Sequence, residues 1–217
     1  IKSDTIAFVP RISLRYSPRE LLSRRLLVDS LIIENPQLSF KQLPDSSWQF
    51  SQLVPAQKDT AAKEEKNEFG ISVDVRKFAL NNGDVQIKSY NKALPEKIDS
   101  LNISIAAIIA DSKFEINLKH LSLKTQSPDF ELKQLSFSLR QDSEKTTLEQ
   151  FILQTGKNQL VAHADIDGSS PSNATLQANA ENSDLSEFSI FIPALAMLGK
   201  PSLSIEAITD NNDFKTE

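Results

Sequence analysis

His120 and His163 are the only imidazoles in the chain, and cysteine is absent. A zinc centre or a histidine-assisted nucleophile needs partner groups at close spacing, and neither histidine has another His or a carboxylate at metal-ligand spacing. Asp165-Ile166-Asp167-Gly168 opens like a calcium loop but lacks the later oxygen ligands and the closing glutamate. A strand end followed by a turn accounts for it. Gly156-Lys157-Asn158 reads as a hairpin turn, and five glycines are few for phosphate-cradling loops. No serine occupies a nucleophile elbow. Asn102-Ile103-Ser104 and Asn173-Ala174-Thr175 match the glycosylation sequon, the first in mid-strand. No enzyme, metal site or cofactor is expected, so function must reside in the surface that the fold presents.

The 217 residues are 39% hydrophobic and 24% charged, the balance of a folded protein rather than a disordered one. They suffice for one large β domain or two small ones. With 24 basic against 29 acidic residues and a net charge of −5, the chain lacks the basic excess that binding nucleic acid requires. No run of about 18 apolar residues offers a membrane-spanning helix. The absence of cysteine removes disulfides and thiolate chemistry and leaves the compartment open. The start at Ile1 and the polar end at Glu217 read as those of a piece of a longer protein, with any anchor or signal upstream.

The elements that must carry this surface are almost all strands. From Arg24 to Leu53, Leu26 and Val28, then Leu38 and Phe40, alternate with polar residues on either side of Asn35-Pro36. The chain then turns at Pro44-Asp45-Ser46-Ser47 before Trp48 and Phe50. Ahead of this stretch, Thr5 to Tyr16 places Ile6, Phe8, Ile12, Leu14 and Tyr16 on one face, interrupted at Pro10 as suits an edge strand. Ser17-Pro18-Arg19-Glu20 reads as a capping box opening a helix of about two turns, expected to plug one end of the sheet. Residues 1–54 form this first module, and the charged, alanine-containing 55–68 reads as a loop or linker. From 69 to 217 the alternation resumes as an antiparallel meander, expected to share one continuous sheet with 1–54.

Within that meander a phase change before Phe78 signals a bulge, and Asn82-Gly83 signals a hairpin with Val85 and Ile87 on the return strand. Further strands follow at short polar turns, as far as 174–180. Toward the C-terminus Ala162, Ala164, Ala174, Ala178 and Ala180 replace the larger apolar residues. A second capped helix, near 184–198 and interrupted by Pro193, is expected to pack across these alanines. Two readings of the apolar stripe stand side by side: a dry core between stacked sheets, or the open lining of a curved sheet.

The segment from Leu21 to Leu53 resembles the opening module of the AsmA-like (TamB) superfamily, through Val28, Leu31, Ile33, Pro36, Leu38, Phe40, Trp48, Phe50 and Leu53. Asp45-Ser46-Ser47 departs from the family's usual Asp-Gly turn before the tryptophan. Asp184-Leu185-Ser186 through Leu195 to Gly199-Lys200 also resembles a segment of that family. The resemblance implies a mostly β fold, a long curved antiparallel sheet forming an apolar groove (a β-taco) with two short capping helices. It further implies a periplasmic, inner-membrane-anchored envelope protein that carries phospholipid between the membranes, with envelope or outer-membrane proteins as further partners. The implied lining for acyl chains is Ile71, Val73, Val75, Leu101, Ile103, Ile105, Phe114, Ile116, Leu118, Phe137 and Leu139. The competing expectation is a non-enzymatic β-sandwich or scaffold that pairs with a protein partner along a sheet edge.

Overall fold

A computed structural model describes residues 6–53, 72–91, 94–110, 113–142, 145–167, 174–180, 183–190, 203–210 and 213–216. The alternating apolar runs form strands, and all of the described strands join one 13-stranded sheet. In chain order these are β1 (Ala7–Phe8), β2 (Arg11–Tyr16), β3 (Arg25–Glu34), β4 (Gln37–Lys41), β5 (Ser72–Lys88), β6 (Lys97–Ala110), β7 (Lys113–Gln126), β8 (Phe130–Gln141), β9 (Lys145–Thr155), β10 (Gln159–Asp167), β11 (Ala174–Ala180), β12 (Leu203–Asp210) and β13 (Asp213–Thr216). From β5 onward each strand pairs antiparallel with its successor. The result is a long, curved, open sheet forming a groove. At about 4.8 Å per strand, its hydrogen-bonding direction extends roughly 50 Å.

The first module is built differently from the meander. β3 and β4 lie end to end along β5, and both run parallel to it. β2 and β1 then pair antiparallel with β3 and β4 at the outer edge. Residues on both sides of 55–68 therefore share one sheet, while the loop itself and Ile71 lie outside the described residues. At the Asn35-Pro36 junction Asn35 takes a left-handed φ of 49°, a conformation asparagine tolerates better than most residues.

Asn82-Gly83 is not a hairpin. β5 runs straight through it, and Asn81-Asn82 forms a bulge opposite Asn102 of β6. Asn82, at φ 52°, donates through its side chain to Asn35 Oδ1 (2.9 Å), and its backbone N–H donates to Asn102 Oδ1 (2.9 Å). The glycine serves close packing rather than reversal: a Cβ on Gly83 would stand 2.8 Å from Leu80 Cδ2 and 3.3 Å from the Pro36 ring. Two asparagines and a glycine thus accommodate the β3–β4 junction instead of turning the chain.

Where they are described, the two expected helices are short turns of tighter 3-10 geometry, and a third such turn joins them. η1 (Pro18–Ser23), η2 (Gln49–Leu53) and η3 (Leu185–Ile190) contain all the helical residues among those described. The capping box at Ser17 does not form. Ser17 makes no side-chain cap hydrogen bond, and Glu20 instead lies 3.9 Å from Arg25. Nor does η1 plug the sheet, since none of its residues is buried. Arg24, at φ 55°, ends it. η3 meets β8 and the β9–β10 turn rather than lying across the alanine-rich strands. The rest of that expected helix, including Pro193, lies outside the described residues.

The turn at Pro44–Ser47 forms as expected. Asp45 Oδ1 accepts from both the Ser47 hydroxyl (2.6 Å) and N–H (3.0 Å), and these bonds hold its carboxyl below the usual range.

Candidate functional site

Pairing register decides where the apolar side chains go, because a one-residue slip would send every one of them to the other face. Val75 faces Ala107, Ala107 faces Ile116, Ile116 faces Leu139 and Leu139 faces Leu148 across five strands. A neighbouring row runs from Phe78 through Ile105 and Leu118 to Phe137, and a third from Leu80 through Ile103 and Leu121 to Leu135. Val73 pairs with Ile109, which pairs with Phe114, and Leu101 pairs with Gly83. All of the expected lining residues except Ile71 therefore share one face. The rows continue upstream through Val28, Leu31 and Ile33 and downstream into Ala164 and Leu176.

The rows stay in phase because of bulges, several of which the sequence shows only as adjacent polar residues. Arg76-Lys77 of β5 stand opposite Ala106 of β6, Lys119-His120 of β7 opposite Ser136 of β8, and Glu149-Gln150 of β9 opposite His163 of β10. The first and last lie between the Val75 row and the Phe78 row, and Lys119-His120 lies just beyond the Phe78 row. Further doublets are Asn81-Asn82 opposite Asn102, Asp99-Ser100 opposite Asp84 and Lys133-Gln134 opposite Ser122. A bulge inserts one residue on one strand and bends that strand. It thereby resets parity, so that Val75 and Phe78, three apart in sequence, still face the same way. Polar doublets between apolar residues are the signal that adds Phe78, Leu80, Leu121 and Leu135 to the lining.

Charge gathers on the opposite face. Arg25–Asp74 (2.6 Å), Lys124–Glu131 (3.0 Å), Lys113–Glu115 (3.0 Å) and Lys145–Asp165 (3.0 Å) all sit on residues whose parity points away from the apolar rows. His163 is there too, 3.1 Å from Asp165 Oδ2. Burial works against the charged Asp165, but hydrogen bonds with Lys145, Thr147 and His163 outweigh it and hold the carboxyl below its usual range. His120 lies 3.0 Å from Ser122 Oγ. Both histidines thus have local partners, and among the described residues no three side chains are grouped as metal ligands would be.

Among the described residues no second sheet interlocks with the apolar rows. Six apolar side chains of the described residues are buried, and two of these, Leu27 and Ala79, belong to the charged face. Thr155, at 1% exposure, is the one fully buried side chain among the described residues. A face-to-face sandwich would bury whole rows of leucine and isoleucine to that degree. Here most of the lining is only half-buried, shielded by its neighbours along the curve.

Two of the short helices close over one rim of this face. Phe50 of η2 packs edge-on against Phe40 at 5.4 Å and stacks with Trp48 at 6.0 Å. Phe188 of η3 packs on Phe130 at 6.1 Å. η3 is latched by Glu187, which accepts hydrogen bonds from Thr155 Oγ1 and from the Lys157 N–H (3.2 Å). Gly156 makes room for that carboxylate: a Cβ there would lie 2.7 Å from Glu187 Oε1. No helix among the described residues is long and apolar enough to cross a membrane. No protein-family model, curated protein or solved structure matches this chain.

Proposed function

We propose that the chain is a segment of an AsmA-like envelope protein whose groove binds the acyl chains of phospholipid and lets them slide between the inner and outer membranes. One observation carries this reading: in-register apolar rows extend across the sheet, ion pairs of the strands lie on the other face, and no second sheet among the described residues covers the rows. Each methylene moved from water into such a lining is worth about 0.8 kcal/mol. A continuous track therefore supplies affinity without polar contacts to the chain, and passive sliding needs no catalytic group. A periplasmic location and an anchor upstream of Ile1 belong to the same proposal.

Lipid extracted from the purified chain and identified by mass spectrometry tests it. Ile103→Asp and Ile116→Asp, both in the lining, should remove the co-purifying phospholipid. Ser104→Asp, whose residue has the opposite parity, should retain it. Equal lipid content in all three variants would refute the groove reading.

A second reading rests on the free edge. β2 pairs only with β3 among the described strands, and Ile12, Leu14 and Tyr16 along it are exposed. A partner strand added there would extend the sheet and cover them. Retention of a protein partner by a lipid-free chain would favour this reading.

A further inference from the structure

We infer that η1 and the strand before it form a docking surface for an anionic lipid bilayer. η1 rests on the start of β3 but turns its leucines to solvent. Leu22 is 89% exposed, the highest among the large apolar side chains of the described residues, and Leu21 is 47% exposed. Leucines this open forgo much of their transfer free energy in the free protein. They regain it where they can enter an apolar medium.

The charge around these leucines selects the partner. From Arg11 to Arg25 the chain holds five arginines and one glutamate, whereas the remaining residues hold 19 basic and 28 acidic side chains. Glu20 is engaged with Arg25, and Arg11 with Glu34. Arg15, Arg19 and Arg24 are exposed and have no ion-pair partner among the described residues. A cationic patch on an otherwise acidic chain, flanking two solvent-facing leucines, is the pattern of an interfacial contact: guanidinium groups on lipid phosphates, leucines below the headgroups. Tyr16, also exposed, adds an amphipathic ring suited to the same depth. Along the same rim, Lys113 and Arg140 share Glu115 and Lys145 pairs with Asp165, whereas Arg15, Arg19 and Arg24 around η1 have no ion-pair partner among the described residues.

This surface does not depend on the groove reading, and the two fail separately. The 217-residue chain is sedimented with phosphatidylcholine vesicles made with and without phosphatidylglycerol. It should bind the phosphatidylglycerol vesicles preferentially, and the binding should fall as salt rises. Leu22→Asp should weaken binding at least about tenfold, and Arg19→Glu about fivefold or more. Ile208→Asp, at an exposed apolar residue on the outer face of β12, should leave binding unchanged. Circular dichroism checks that each variant is folded, and co-purified lipid should be retained in Leu22→Asp. Three results would overturn the inference: no sedimentation of the unmodified chain with the anionic vesicles, equal binding to both vesicle types, or Leu22→Asp and Arg19→Glu binding like the unmodified chain.

Discussion

The groove has two unlike stretches. Between β5 and β9 every pair of neighbouring strands contains at least one register shift, and the lining is mainly leucine, isoleucine and phenylalanine. From β10 to β12 the pairs run through six and seven residues with no shift, and alanine dominates at Ala162, Ala164, Ala174 and Ala178. Bulges bend strands, and large side chains on the inside of a bend shield one another. Leu118 and Leu132 are accordingly buried with no second sheet among the described residues to cover them. In the unbulged stretch small side chains leave the face shallower and offer less to shield. Bulges and side-chain size therefore change together, and the first stretch holds most of the core that the described residues form.

The largest effect separating the two should come from a buried charge. Leu118→Asp puts a carboxylate where exposure is 7%, at a cost of roughly 3 kcal/mol or more. Ala178→Asp, in the alanine stretch, should cost well under half as much. Urea denaturation of both variants measures the contrast, and equal losses would break it. A smaller effect is expected at the bulge itself. Gly83→Ala forces a Cβ against Leu80 and Pro36, and about 1–2 kcal/mol should be lost because the Pro36 ring cannot rotate away. The same denaturation experiment reads it.

The smallest effect lies at the border between the stretches, where η3 is latched. The Ser186 hydrogen bond to Asp184 is the main influence holding that carboxyl below its usual range, and Lys157 assists. A folded-state pKa lowered in this way contributes stability above the unfolded value, near about 4, and the contribution disappears as pH falls through the folded value. Amide exchange of Leu185–Ile190 should therefore be no more open at about pH 5 than at about pH 7, and should open below about pH 4. Protection that persists unchanged to about pH 3 would show that Asp184 does not hold η3.

Much of this architecture is legible in the residues. Alternation through Val73 and Val75, Leu101–Ala107 and Phe114–Leu118 marks strands and their apolar side, and the polar breaks at Ala110–Lys113 and Gly156–Asn158 mark reversals. What alternation cannot encode is direction, so nothing in Leu26, Val28, Leu38 or Phe40 reveals that β3 and β4 run parallel to β5. Asn82-Gly83 misleads because the same conformational freedom that makes a tight turn also makes a bulge, and the groups that settle it, Asn35, Pro36 and Asn102, are distant in sequence. Ser17–Glu20 carries the residue types of a cap, but a short 3-10 turn does not close the box, and Arg25 takes the glutamate. The lining is legible only in part for a related reason. The phase change before Phe78 marks the bulge that pairing shows at Arg76-Lys77, but Lys119-His120 and Glu149-Gln150 look like lapses in the pattern until pairing shows that they restore it.

The proposed groove puts hydrocarbon on one face of this sheet. A phospholipid with a photoreactive acyl chain, cross-linked to the purified protein and mapped by peptide mass spectrometry, tests it most directly. Labels should fall on inward residues such as Ile105, Leu118 and Phe137 and spare outward neighbours such as Ala106, Asn117 and Ser138. Labels spread evenly over both parities, or none on the sheet at all, would contradict it.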